Sequence, residues 1–321
     1  FVTFFPQLVA GPIVRHPEIM PQFAKMDVRL LDWNNIASGL FVFGLGLFKK
    51  VIIADSFARW ANAGFSSAEA LSFFEAWSVS LSYTFQLYFD FSGYTDMAIG
   101  AALLFNIRLP INFNSPYKAL SIRDFWQRWH MTLSRWLRDY LYIPLGGNRK
   151  GTARTLINIM GTFLICGIWH GAGWTFIVWG TLHGAALAVH RLWKASGLRL
   201  PIPLAWLCTF LFINGSFVFF RAESITDGLR ILKAMLPLRI ESPALLTQIT
   251  KIDFAADIAT LWGLQGPLLS SAHQLLFIVV FPLIALVMPN TMQLIGFESY
   301  QGRLAFKPTI VSAFLLAFDP Y

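Results

Sequence analysis

His170 stands in Cys166-Gly167-Ile168-Trp169-His170-Gly171-Ala172-Gly173-Trp174, inside or at the mouth of an apolar run, with small residues on both sides. The membrane interior penalises an ionisable group in such a setting, so its presence needs a reason. The small neighbours would let another chain, or a thin ligand, approach the imidazole closely. An apolar surrounding favours the neutral ring, the form able to act as a general base. The alternative is a histidine that bonds a backbone carbonyl between packed helices.

His130 lies in Asp124-Phe125-Trp126-Gln127-Arg128-Trp129-His130-Met131-Thr132-Leu133-Ser134-Arg135, a cationic and aromatic neighbourhood. It suits a phosphorylated, adenine-bearing donor such as a coenzyme A thioester: Arg128 and Arg135 would meet phosphates, and Trp129 and Trp169 would stack. The same residues on an amphipathic helix would also sit on anionic lipid. A third group, Asp90-Phe91-Ser92-Gly93-Tyr94-Thr95-Asp96, is read as a helix break between apolar segments. Asp90, Tyr94 and Asp96 then line a polar substrate tunnel or close a hydrogen-bonded helix joint. Either way they face inward.

Other chemistries fit less well. His170 and His183 are thirteen apart, a spacing that two stacked haems use on one helix, but no second helix carries matching histidines. No Cys or carboxylate cluster at ligand spacing supports zinc, and Cys166 and Cys208, both in apolar runs, read as packing residues. No metal and no bound cofactor are expected. Gly11-Pro12-Ile13-Val14-Arg15-His16-Pro17 reads as a structural turn near an interface.

The elements that must position these residues are membrane helices. The chain has 321 residues, of which 56% are hydrophobic and 13% charged, against about 25% charged in a soluble domain. Mean hydropathy is +0.56. A water-soluble globule, a disordered chain and a coiled coil are thereby excluded. Apolar runs fall at Ile36 to Ile53, Leu71 to Phe91, Ala98 to Ile107, Thr155 to Trp169, Trp174 to Val189, Leu204 to Phe220, Leu275 to Met288 and Pro308 to Phe318. Several are short or broken by Gly and Pro, which gives an expectation of six to eight membrane helices. The net charge of +8 is read as membrane topology and anionic-lipid contact, not nucleic-acid binding. The chain opens at Phe1 without an initiator Met, which suggests that further helices precede it in a longer protein.

Eight of the twenty-five basic residues fall in Lys118 to Arg154. There Trp126, Trp129, Leu133, Trp136, Leu137 and Tyr140 recur at helical spacing, which predicts one amphipathic helix with a cationic face, placed in the cytoplasm by the positive-inside rule. A second polar region, residues 221–273, opens with Ser224-Ile225-Thr226-Asp227, a capped helix start.

Four stretches in order resemble the membrane-bound O-acyltransferases: Phe5 to Arg15, Phe89 to Ala98, Phe125 to Tyr142 and Ile168 to Gly171. The similarity is to the bacterial branch acting on alginate, peptidoglycan and teichoic acid, and it runs to Arg221. It implies a single membrane domain over residues 1–321, an all-α ring of tilted and broken helices around a thinned centre, in the cytoplasmic (inner) membrane. It implies that His170 is the catalytic histidine and that His130 fills a second site position. The implied reaction moves an acetyl group from acetyl-coenzyme A to a hydroxyl of an exported polysaccharide, directly or through an extracytoplasmic relay partner. His170 would take the hydroxyl proton and return one to the thiolate. His130 would polarise the carbonyl or hold the donor. The rival reading is a proton-coupled transporter, which would carry inverted repeats that are not found here.

Overall fold

The computed structural model describes residues 3–8, 10–24, 30–67, 70–237, 272–299 and 302–303. These form helices α1 (His16–Phe23), α2 (Trp33–Phe48), α3 (Asp55–Phe65), α4 (Phe73–Leu103), α5 (Ile122–Trp126), α6 (Met131–Leu137), α7 (Gly151–His170), α8 (Trp174–Ala195), α9 (Ile202–Arg221), α10 (Ile225–Ala234), α11 (Ala272–Val287) and α12 (Thr291–Leu294). The sole strands among them are a two-residue antiparallel pair, Glu298–Ser299 with Gly302–Arg303. The architecture is all-α. The apolar run Pro308 to Phe318 and most of the polar region after residue 237 lie outside the described residues.

Local sequence explains where helices begin. Asp32 accepts from the backbone N–H of Asn34 and Asn35 at the start of α2, and Ser72 with Glu75 forms a capping box on α4. Ser224 caps α10 through Asp227 N, as the sequence predicts. Three helical stretches among the described residues are long and apolar enough to cross a membrane: Trp33–Phe65, Gly151–His170 and Ile202–Arg221. The first joins α2 and α3 through a π-helical turn at Lys49–Ala54. Helix α8, with 22 residues, and α4, with 31, are long enough but carry more polar side chains.

Helix α4 departs from expectation. The segments read as separated by a break at Asp90 to Asp96 are one continuous helix. Its two aspartates are paired without any irregular backbone in α4, because the π-helical turn after α2 brings lysines to them. Lys49 Nζ lies 2.7 Å from Asp96 Oδ2, and Thr291 Oγ1 donates to the same oxygen at 2.7 Å. Lys50 Nζ lies 2.7 Å from Asp90 and 2.6 Å from Asp55. A buried charge is tolerable in an apolar setting only when so paired. Tyr94 donates its hydroxyl to Leu8 O at 3.2 Å. Asp90, Tyr94 and Asp96 therefore tie α4 to its neighbours, which fits the joint among the two readings; Tyr94 is exposed and Asp90 half-exposed, which corrects the expectation that all three face inward.

Glycines let α2 and α4 approach to backbone contact. A Cβ on Gly46 would stand 2.6 Å from Gly93 O, and one on Gly100 2.6 Å from Gly39 O. Helices α7 and α8 repeat the device: a Cβ on Gly167 would meet Phe176 O at 2.4 Å, and one on Gly180 would meet Phe163 O at 2.4 Å. The small residues beside His170 are thus filled by the chain itself. Helix α9 closes on α4 through a buried amide, Asn214, which accepts from Ser80 Oγ at 2.7 Å and donates to Thr84 Oγ1 at 2.8 Å.

The segment Lys118 to Arg154 is not one amphipathic helix. It divides into α5, a turn at His130 and α6, followed by a π-helical turn at Arg138–Tyr142. His130 adopts φ 42° and ψ 53°, a left-handed conformation unusual for a non-glycine residue. The turn changes the phase of the pattern, so Trp126, Trp129, Leu133 and Leu137 enter the protein core while Trp136 and Tyr140 remain outside. The segment is anchored by Arg15, which pairs with Asp139 and lies over the Tyr140 ring at 5.5 Å. Burial raises the Asp139 carboxyl, but hydrogen bonds from Arg15 and Arg138 outweigh this and hold it below its ordinary value of 3.8. A carboxyl lowered on folding adds stability above its unfolded value that is lost as pH falls through its folded one. Asp139→Asn is therefore expected to lower thermal stability at pH 7 by up to about 1 kcal/mol, the size of a solvent-screened pair. In strong acid the variant and the parent should unfold at the same temperature, as read by melting scans in detergent.

Candidate functional site

His170 is the last residue of α7. Its Nδ1 lies 2.6 Å from Cys166 O, one helical turn back. A carbonyl oxygen only accepts, so Nδ1 carries the proton and Nε2 keeps its lone pair. The Cys166 thiol lies 3.6 Å from the same Nδ1 and is fully buried, a packing residue on the occupied edge of the ring. Trp169, Trp179 and Phe220 stand edge-on to the imidazole, with ring centres at 4.9, 4.9 and 5.4 Å. The result is a neutral base held in an aromatic box.

His130 is buried, 8% exposed, with Phe91 edge-on at 4.8 Å. Asn112 holds it. The Thr132 backbone N–H, which can only donate, meets Asn112 Oδ1 at 3.2 Å, and this fixes that atom as oxygen. His130 Nδ1, 3.1 Å from the same oxygen, therefore donates to it, and Nε2 is again the acceptor. Asn112 O also takes the Met131 N–H at 2.9 Å, so one asparagine supports both the ring and its left-handed backbone. Burial first, and then the charge of His170, push His130 down to about 3. In the neutral ring Nε2 is therefore left to accept a hydrogen bond. Strained backbone held by its surroundings is a mark of a functional position. Asn112 carries no signal in the sequence, because it acts only through the turn that the fold creates.

His183 is fully satisfied. Trp126 Nε1 donates to its Nδ1 at 3.1 Å, and its Nε2 donates to Ser216 Oγ at 3.0 Å, whose hydroxyl passes on to Ile213 O at 2.8 Å. It is a packing histidine.

The remaining predicted contacts fall in two groups. Arg128 Nε pairs with Asp124 at 2.7 Å, and Arg135 forks onto Glu18 at 2.9 and 3.1 Å. Trp129, 5% exposed, has one face covered by Phe125, stacked at 5.5 Å and 17°, and Tyr117 at 6.2 Å. Trp129 is thus packed into the aromatic core, with little surface left on which a ligand base could stack. Trp169 is 64% exposed at the end of α7.

A cavity of about 890 Å³ opens between α5, α6, α7 and the end of α8. Its lining includes Arg123, Arg135, Arg138, Arg191 and Lys194. Its wall includes Trp126 and Phe163, whose rings meet at 4.9 Å. Trp126 touches Trp179 at 6.0 Å, and Trp179 touches His170. The cavity is lined by neither His170 nor His130, and the packed rings of Trp126 and Trp179 stand between it and His170. Arg191 and Lys194 escaped the sequence reading because they follow a spanning run of their own; their proximity to Arg123 and Arg138 is tertiary.

The chain is 60% identical over 242 residues to a peptidoglycan O-acetyltransferase of Helicobacter pylori, covering 74% of this chain and 46% of that protein. It is 46% identical over 236 residues to a probable alginate O-acetylase of Azotobacter vinelandii, covering 73% and 46%. A teichoic acid D-alanyltransferase of Bacillus subtilis is 28% identical over 238 residues, covering 70% and 60%. The chain spans about half the length of the first two relatives. Residues 1–228 match the membrane-bound O-acyltransferase family, so this chain belongs to that family.

Proposed function

We propose that the whole protein transfers an acetyl group from acetyl-coenzyme A to a hydroxyl of an exported polysaccharide, directly or through an extracytoplasmic relay partner, in the cytoplasmic (inner) membrane. The observation that carries this reading is His170 at the end of α7, its Nδ1 bonded to Cys166 O so that Nε2 of the neutral ring is left as a base; a cationic cavity on α5, α6 and α8 supplies a place for donor phosphates. A coenzyme A thioester has phosphates for Arg123, Arg138, Arg191 and Lys194, and a long arm whose acyl end must travel inward. His170 Nε2 takes the proton of the acceptor hydroxyl as its oxygen attacks the thioester carbon, and returns it to the departing thiolate. His130 Nε2 accepts from the hydroxyl or from an amide of the donor arm. Among the relatives, peptidoglycan and alginate are named as O-acetylation acceptors, which supports a carbohydrate hydroxyl here.

The test is transfer from labelled acetyl-coenzyme A in membranes carrying the full-length parent. Arg191→Glu with Lys194→Glu is expected to raise the donor KM at least tenfold, the loss of one charge-assisted contact or more, with kcat nearly unchanged. An unchanged KM would remove the cavity from donor binding.

A further inference from the structure

Attack on a thioester turns its carbonyl oxygen into an oxyanion, and a water-excluded site must supply hydrogen-bond donors for it. Neither histidine can do so while neutral. The single ring proton of His170 is committed to Cys166 O at 2.6 Å, and that of His130 to Asn112 Oδ1 at 3.1 Å. Two buried side-chain N–H groups next to these histidines have no partner among the described residues: Asn112 Nδ2 and Trp179 Nε1. An unpaired donor in an apolar interior is costly and calls for an explanation. Asn112 belongs to the His130 side of the site. Trp179, 2% exposed, stands edge-on to His170 with ring centres 4.9 Å apart. Its position is fixed from below, since the neighbouring Gly180 packs against the backbone of α7 at Phe163 and Gly167. Its ring also meets His183 at 4.8 Å and Phe220 at 5.1 Å, which leaves the indole little room to turn.

The geometry points to Trp179 as a catalytic residue whose indole N–H donates to the oxyanion formed beside His170. This rests on the acyl transfer proposed above. The acceptor oxygen bonds to the thioester carbon while its proton passes to His170 Nε2, and the carbonyl electron pair moves onto oxygen, where Trp179 Nε1–H meets it. The intermediate collapses, the carbon–sulfur bond breaks, and the thiolate takes the proton back from His170. Ester and thiol are the products. The orphan donor is thus paired at the point in the cycle where charge is greatest, and the ground state has only a weaker carbonyl to offer it.

The experiment compares the full-length parent in membranes with Trp179→Phe and with 3-benzothienyl-alanine placed at 179, which keeps the indole shape and puts sulfur where the N–H was. Labelled acetyl-coenzyme A is the donor, and His170→Ala is run beside them. Both changes at 179 are expected to lower kcat roughly 10² to 10³-fold, the cost of removing one oxyanion donor, with donor KM and inserted protein level preserved. Parental kcat in the benzothienyl protein would overturn the assignment, whatever Trp179→Phe does, because shape alone would then suffice. A rise in KM with kcat intact would overturn it too. If the parent does not transfer acetyl, or His170→Ala transfers as fast as the parent, the acyl-transfer reading falls and takes this assignment with it. If His170→Ala is dead and the benzothienyl protein is fully active, only the role of Trp179 falls.

Discussion

His170→Ala is expected to reduce acetyl transfer by roughly 10² to 10⁴-fold, the usual contribution of a positioned general base, while the protein still inserts and folds. The expectation of normal folding follows from its contacts. Its hydrogen bond is to a carbonyl of its own helix, and α7 remains held to α8 by the Gly167 and Gly180 contacts. What disappears is the Nε2 lone pair, the basic atom of this residue. The measurement is single-turnover transfer from labelled acetyl-coenzyme A, with membrane protein quantified in parallel. Transfer at the parental rate would return His170 to a packing role. The companion residue makes the result sharper. Because burial holds His130 down to about 3, it cannot produce an acid limb in the range of about pH 5 to 8 where an ordinary histidine titrates. Any such limb in kcat/KM is therefore expected to persist in His130→Asn, whose overall rate is lower.

Gly93→Val is expected to prevent the protein from reaching its folded state. A Cβ at this position would stand 2.7 Å from Gly46 O and 3.1 Å from Lys49 Cβ and from Lys50 N. Those neighbours include backbone of the facing helix, which cannot rotate away as a side chain can. Relief requires α2 to move off α4. That would pull apart the half-exposed Lys50–Asp90 pair and the buried Lys49–Asp96 pair, and breaking the buried one costs several kcal/mol. Ordinary overpacking, at about 1 to 3 kcal/mol, would be added to that. Gly44→Val is the comparison. It lies on α2, the helix that faces Gly93, with nothing within 4 Å of its Cβ, and its variant is expected to purify as the parent does. The readout is the fraction eluting as a single species in detergent. Equal behaviour of the two variants would show that the close crossing is not needed.

Much of this fold is written in composition and local chemistry. Apolar runs with few charges can be only membrane helices, and caps at Asp32, Ser72 and Ser224 mark their starts. His170 was legible because an ionisable residue among small and apolar ones is costly wherever the helix is placed. His130 was legible through its motif, but not its conformation. A periodic pattern assumes constant phase, and one left-handed residue resets it. That reset, at His130 itself, moves Trp129 from a surface stripe into the core.

Partnership is what sequence could not supply. Asp90 and Asp96 look like unpaired acids within an apolar segment, and only the crossing of α2 on α4 reveals that adjacent lysines neutralise them. Asn112 is unremarkable in its own segment and becomes the support of His130 because a turn eighteen residues later returns to it. The tautomers of His170 and His130, the cationic cavity shared by α5, α6 and α8, and the unpartnered indole N–H of Trp179 likewise arise from residues brought together across helices. Sequence determined the solvent this chain lives in and singled out His170 as the proposed base, because both depend on each residue's own transfer energy. Tertiary structure decided which polar groups are satisfied and which remain available for chemistry, because hydrogen bonds and ion pairs are properties of pairs.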